Sequence, residues 1–473
     1  NNNNDNKENN LQNNNKDDNN NDEIITEETE AIGFGNDPTW FRKDSIERTD
    51  LLHNGSKGGK LVVVMVGLPG SGKTFMSRKI SRFLRWISYR TRVYSLAKYR
   101  LEKLGTKNAD FFDPENEAHC QTRVELMLSA IEDAMRYLRR DGEIAIIDGA
   151  NTSMYRRDLI RERVAKEDGF DILWIENLID PDVIMTRNSA SIHASPDFTN
   201  DEDFIQRMEH YQKSYETVLD TEGSYIKRFD SGDRIHLHGI QGFLRTKISS
   251  FVMNIHTFPR TIYMVRSGET EFIRKGLIGG DSPLTQDGVE FAHALSNFLE
   301  TDETGFSVAS KTPGGLVVWS STQQAAQDTA KSIKTNRYVE WRALRNIESG
   351  VCDGLSYEQI KAKYPQEYKA RQADKLRYRY PRGESYVDVI TRLEPVIFEA
   401  ERETQPLIIV AHLAVLRCLY AYFLDIPMEE LPYISINMNT IIKLEPKAYG
   451  CKEKRIKLVR SDNEEVGENL SNT

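Results

Sequence analysis

The stretch that most limits what this chain can fold into is Gly67, Leu68, Pro69, Gly70, Ser71, Gly72, Lys73 and Thr74, the sequence GLPGSGKT. It fits the phosphate-binding pattern G-x-x-x-x-G-K-[ST] and stands directly after the apolar run Leu61 to Val66. A buried strand entering a glycine loop, with a helical stretch from Phe75 to Ile87 behind it, lets backbone N–H groups and a helix N-terminus surround phosphate oxygens. In that arrangement Lys73 reaches the outer phosphates of a nucleotide and Thr74 holds Mg2+. The flanking segments alternate in the same way. Arg92 to Leu96, Glu143 to Ile147 and Ile172 to Ile175 read as further strands, with a long helix from Glu115 to Arg139 between the first two. This is the repeat of a parallel sheet covered by helices on both faces, which gathers ligands at the carboxyl ends of its strands.

Asp148 closes the apolar strand IAII and therefore faces the loop. A carboxylate there orders Mg2+-bound water or accepts a hydroxyl proton, and a helix N-cap is the other reading of the same residue. Arg100, Arg123, Arg156 and Arg207 lie after strands or on helices of this half, where they converge on an anionic acceptor or stay as solvated charges.

The second half opens on another buried strand, Thr261 to Val265, running into Arg266-Ser267-Gly268-Glu269. Gly315 to Trp319 and Pro406 to Val410 follow as strands, and the last leads into His412 and a helix from Ala414 to Phe423. An Arg-x-Gly after a first strand and a His after a late one lay out a phosphate pocket. The middle position, where a nucleophile is needed, holds a serine.

A chain of 473 residues suggests two or three domains. The net charge of −9, with basic residues dispersed, argues against a nucleic-acid partner. Cys120, Cys352, Cys418 and Cys451 have neither metal-ligand spacing nor the density of a disulfide framework, which points to a reducing, cytoplasmic setting. No apolar run is long enough for a membrane helix. Residues 1–36 are expected to form a disordered tail, the first 22 being mostly asparagine. Trp40, Phe41, Arg42 and Lys43 either dock on the first domain or receive a partner.

Longer motifs then narrow the reading. Lys98-Tyr99-Arg100, FFDPEN at Phe111 to Asn116 and Asp148-Gly149-Ala150-Asn151-Thr152 stand in the first half, and NIHTFPRTIY, IGGDSPLT, RYPRGESY and AHLAVLRCLYAYFLD in the second. With these, the chain resembles the bifunctional 6-phosphofructo-2-kinase/fructose-2,6-bisphosphatase family from about Lys60 to Gly450. The resemblance implies a P-loop kinase domain over 37–258, a histidine-phosphatase-like α/β domain over 259–450 and a C-terminal tail over 451–473. It implies a cytoplasmic homodimer that regulates glycolysis. In the kinase it assigns Lys73 and Asp148 to catalysis, and Arg100, Arg123, Arg156, Arg207 and Tyr211 to fructose 6-phosphate. In the second half Arg266, Ser267, Glu269, Asn346, Tyr364, Arg379, Arg382, His412 and Arg417 fall on the phosphatase pocket.

The departures are as informative. The family's phosphoryl-accepting histidine is Ser267, its general-acid glutamate falls on Asn346, and two phosphate-binding positions are Ile273 and Ala325. The expectation is a kinase making fructose 2,6-bisphosphate with a phosphatase half that has lost its chemistry. In the kinase, Ile192 stands for a lysine and Ala150 for a threonine. These two keep open a protein without turnover that senses nucleotide or sugar phosphate.

Overall fold

In the computed structural model the residues described are 30–32, 59–187, 197–198, 200–256, 259–301, 315–447 and 450–458. The asparagine-rich stretch, Trp40 to Lys43, Ile192 and Ala194 to Pro196 lie outside them.

A short strand, β1 (Glu30–Ile32), precedes the first sheet. That sheet is built from β2 (Lys60–Gly67), β3 (Thr91–Ser95), β4 (Ile144–Asp148), β5 (Phe170–Leu178), β6 (Tyr225–Phe229) and β7 (Arg234–His238), in the order β3-β4-β2-β5-β6-β7. All neighbours are parallel except β6 and β7. Val62 to Val66 and the IAII of β4 are completely buried because helices cover both faces, which is why these strands read as unbroken apolar runs. Gly67 pairs with Asn177, and β4 ends on Asp148. Three carboxyl ends thus deliver the phosphate loop, the carboxylate and Asn177 to one edge of the sheet.

The second sheet contains β8 (Ile262–Arg266), β9 (Val317–Ser321), β10 (Arg337–Trp341), β11 (Leu407–Ala411), β12 (Thr440–Lys447) and β13 (Gly450–Lys457), in the order β1-β13-β12-β8-β11-β9-β10. Its centre is parallel, with β12 and β13 antiparallel. Two expected boundaries change here. Residues 451–457 of the segment read as a tail lie inside β13, and β1 from the 1–36 tail pairs with it, Ala31 opposite Cys451. The charged sequence KEKRIK hides a half-buried strand, since only alternate positions such as Cys451 and Glu453 turn inward.

One apolar core runs through both halves. Phe83 of the helix Lys73–Trp86 stacks on Phe251 at 4.2 Å and tilts against Phe398 of the second half at 5.4 Å. The segment after Asp148 is fixed differently. Arg157, fully buried, donates to both oxygens of buried Glu222 at 2.6 and 2.9 Å and to the carbonyls of Asn151, Thr152, Glu216 and Thr217. Glu222→Ala leaves that guanidinium without its counter-charge, and the expected cost is about 3–5 kcal/mol. Chemical denaturation of the two proteins measures it, and a loss under about 1 kcal/mol would show that the carbonyls alone satisfy Arg157.

Candidate active site

The phosphate loop takes shape because two glycines permit it. A side chain at Gly67 would meet the carbonyl oxygen of Asn177 at 2.7 Å and Ser71 Oγ at 2.8 Å, and Gly72 caps the following helix with a φ of 82°. The Gly67 N–H donates to Ala150 O at 3.0 Å, and Asn177 Nδ2 to Ser71 O at 3.0 Å, so the loop is tied to both neighbouring strand ends. Ala150 therefore contributes through its backbone, which any residue provides.

Lys73 is the first residue of the helix. Its Nζ curls over the loop, donating to Leu68 O at 2.5 Å and reaching Ser71 Oγ at 3.4 Å. Burial pulls its pKa down to about 8, with Asp148 acting the other way. Thr74 Oγ1 donates to Asp148 Oδ1 at 3.3 Å. Burial raises the Asp148 pKa, against the opposing charges of Lys73 and Arg78 and the Thr74 hydrogen bond. A lysine whose charge burial disfavours, beside a hydroxyl and a carboxylate that share one hydrogen bond, fits Mg2+ and polyphosphate: both burdened groups gain opposite charge. A cleft of about 240 Å3 next to the loop is lined by apolar Leu68, Ile179 and Phe229 and by polar Asn177, Asp180, Asp230 and Arg234, among others. It depends on the β6–β7 hairpin, which the sequence reading did not anticipate.

Three of the four arginines converge, and the reason is Phe112. Its buried ring has the guanidinium carbons of Arg207, Arg100 and Arg123 at 4.3, 5.0 and 6.0 Å from its centre, and the Tyr211 ring at 5.8 Å. Burial lowers the Arg100 pKa to about 10, the Tyr211 hydroxyl opposes this and Arg207 adds to it. Arg156 is lowered by burial too, with Arg123 contributing. The buried Nε atoms of Arg100, Arg123 and Arg156 have no hydrogen-bond partner among the described residues. Positive charge crowded out of water, with N–H groups unused, is the signature of a site that expects an anion. Arg123 donates to Phe112 O at 2.6 Å and Asp113 O at 3.3 Å; Asp197 pairs with both Arg100 and Arg207, and Arg207 donates to both oxygens of Asp203 at 3.1 and 2.7 Å. The Arg207 fork is largely engaged within the protein, so it supports the site more than it opens to it.

In the second half, β8 and β11 run side by side with Arg266 opposite Ala411, and the Ser267 N–H donates to Ala411 O at 2.9 Å. This brings Ser267 beside His412. His412 is buried, its Nε2 lacks a partner, and burial reinforced by Arg266, Arg392 and Arg345 takes its pKa down to about 3. Arg266 is lowered to about 10 by burial and Arg417. Arg417 itself donates to Ile434 O at 2.7 Å and Tyr386 Oη at 2.9 Å. Glu269 accepts from Thr285 Oγ1 at 2.8 Å, and the Asn346 amide oxygen accepts from the next N–H of its own chain at 2.9 Å. A cleft of about 300 Å3 lies at Asn346, lined also by Arg345, Glu348, Glu384 and Arg392. Of the remaining expected residues, Arg379 is mostly exposed and forked onto Asp388, Arg382 adopts a φ of 64°, and Tyr364 packs against the apolar cluster of Cys352 and Tyr380. Arg345, Arg392 and Gln323, whose Oε1 accepts the Asn346 N–H at 2.6 Å, were not found from the sequence. No motif singles out an arginine on an amphipathic helix.

Residues 48–259 match the 6-phosphofructo-2-kinase family, and residues 262–458 the histidine phosphatase superfamily, branch 1. A mouse 6-phosphofructo-2-kinase/fructose-2,6-bisphosphatase is 41% identical over 408 residues, covering 84% of this chain and 84% of that protein. The Caenorhabditis elegans protein of the same name is 40% identical over 409 residues, covering 82% and 87%. An Arabidopsis thaliana protein is 40% identical over 412 residues, 84% of this chain and 54% of its own length. With two α/β halves in this order and likeness of this extent, the chain belongs to the 6-phosphofructo-2-kinase/fructose-2,6-bisphosphatase family.

Proposed function

We propose that this family member works in one direction only, transferring the γ-phosphoryl group of ATP to the 2-hydroxyl of fructose 6-phosphate, and that its second half does not hydrolyse the product. The observation that carries the second clause is Ser267. A serine hydroxyl needs a base to attack phosphorus, and the imidazole beside it has a pKa of about 3, so it is too weak a base to activate an alcohol. Asn346 has no proton acidic enough to give a leaving alkoxide.

For the kinase, phosphoryl transfer requires positioning and charge neutralisation more than covalent chemistry. The loop N–H groups and Lys73 hold the phosphates. Thr74 and Asp148 would hold Mg2+, which would supply further neutralisation of the phosphates. Asp148, with its pKa raised, is suited to take the proton of the 2-hydroxyl as that oxygen attacks. Arg100, Arg123 and Arg156 hold the 6-phosphate from the Phe112 side, with Tyr211 beside them. A cytoplasmic homodimer that regulates glycolysis is the setting the family likeness supports. Among the described residues no helix is long and apolar enough to cross a membrane, and no cluster of His, Cys, Asp and Glu suits a resident metal.

The test is a coupled assay for fructose 2,6-bisphosphate, with Lys73→Met as the control; no product above the control would sink the reading. The arginine platform has its own check. Phe112→Leu removes a ring shared by three guanidiniums, each contact amounting to about 0.5–2 kcal/mol, and should raise KM for fructose 6-phosphate about tenfold or more with KM for ATP unchanged. Equal changes in both constants would mean that the ring only supports the fold.

A further inference from the structure

The helix that opens with Lys73 and Thr74 is gripped at its far end by the other half of the molecule. Lys79, Arg82, Phe83 and Trp86 occupy one helical face, spaced by three and four residues. Glu401, fully buried in the helix Tyr386–Arg402, accepts hydrogen bonds from Lys79, from Arg82 at 3.2 Å, from Arg260 at 3.0 Å and from the Tyr422 hydroxyl at 2.7 Å. Arg82 also donates to Phe423 O at 3.2 Å and Trp86 Nε1 to Cys418 O at 2.9 Å, while Arg85 pairs with Asp425 at 2.5 Å. One carboxylate therefore faces three cations away from water. Those cations hold the Glu401 carboxyl well below its usual range despite burial, and burial brings Lys79 down to about 8. Removing such a carboxylate leaves cations that no other group in the cluster balances.

We infer that Glu401 is a positioning residue for the kinase reaction: by fixing the Lys79 face of the helix it sets where Lys73 and Thr74 stand one and a half turns earlier. The inference rests on the kinase reading and gives the phosphatase-like half a task that needs no chemistry of its own. From Lys79 back to Lys73 is about 9 Å of helix, which transmits a tilt or a roll without damping it. A misplacement of about 1 Å in a group that holds reacting atoms costs about 10²-fold, so a loosened anchor should register in nucleotide handling first.

The full chain carrying Glu401→Gln keeps the shape of the side chain and removes its charge. Calorimetry with Mg2+ and ADP should show binding weakened about tenfold, and KM for ATP should rise in step, with KM for fructose 6-phosphate within about twofold of wild type. Lys247→Met is the control. It breaks the Lys247–Glu394 pair, 2.7 Å long, which also joins the two halves but does not touch the phosphate-loop helix, and it should leave ADP affinity as it was. If Glu401→Gln lowers the melting temperature and ADP still binds as in wild type, the tie is only structural and the inference falls. Should that variant fail to fold, Tyr422→Phe removes a single hydrogen bond to Glu401 and should weaken ADP about threefold; unchanged affinity would overturn the inference equally. Wild-type protein that binds ADP and yields no fructose 2,6-bisphosphate would sink the kinase reading, and the ADP measurements would still decide the role of Glu401.

Discussion

Lys73→Met should lower the rate of fructose 2,6-bisphosphate formation by at least about 10²–10³-fold, the usual cost of losing one charged or dipolar partner of a developing oxyanion. The ligand-free protein should be no less stable for it. Lys73 is buried against the loop, and its pKa of about 8 against an ordinary 10.5 means that the fold disfavours its charge by on the order of 3 kcal/mol. That penalty is fully present below pH 8 and fades as pH rises towards 10.5, so methionine, of similar length and without charge, relieves it. Phosphate oxygens reverse the preference by raising the lysine pKa again. Nucleotide binding to wild type at pH 8.5 is therefore expected to take up a proton, and affinity should fall as pH climbs through 8. Calorimetry in two buffers of different ionisation enthalpy reads the uptake directly, with the Met variant showing none from this site. Equal apparent enthalpies in both buffers for wild type would mean that Lys73 does not meet the phosphates.

How far the sequence reached depended on where the relevant partners lie along the chain. The loop, its strand and its helix are contiguous, and they stand within two residues of where the pattern places them. Asp148 was legible because an apolar run ends on it. Arg100, Arg123, Arg156 and Arg207 were legible as a set only through family likeness, since nothing in their spacing shows that Arg100, Arg123 and Arg207 surround one ring. FFDPEN marked the family, yet a phenylalanine's burial beneath three cations is a property of the packed fold. Strands β7, β10 and β13 escaped notice because RIHLH, RYVEW and KEKRIK carry charges along partly exposed edges, where the outward positions dilute the apolar alternation. Lys79 and Glu401 are 322 residues apart, and each alone looks like an ordinary helix-surface charge.

Wild-type protein should release no phosphate from fructose 2,6-bisphosphate, and Ser267→His should create a slow activity that a second change, Asn346→Glu, accelerates by about 10²–10⁴-fold. The backbone for a nucleophile is already in place, since the Ser267 N–H is pinned to Ala411 O between β8 and β11, and Arg266 is at hand to meet the phosphoryl oxygens. An imidazole there attacks the 2-phosphate; the phosphorus–nitrogen bond forms, the bond to the sugar oxygen breaks, and that oxygen must leave as an alkoxide unless a proton arrives. His412 cannot give one, because a pKa of about 3 keeps it neutral at physiological pH. Asn346 has only an amide, whose oxygen accepts from its own chain. The single variant should accordingly form its acid-labile phosphohistidine slowly and release phosphate slowly, whereas the double variant, with a carboxylic acid at the cleft, protonates the leaving oxygen as it departs and so speeds formation of the intermediate. Ala325 sets a ceiling on both. It is buried, and its carbonyl takes the Thr329 hydroxyl whose oxygen accepts from Gly268 N–H, so a methyl group and a closed relay stand at the position that the family resemblance assigns to phosphate binding. Phosphate release by wild type that Ser267→Ala abolishes would show that the serine is itself the nucleophile and that the protein works in both directions.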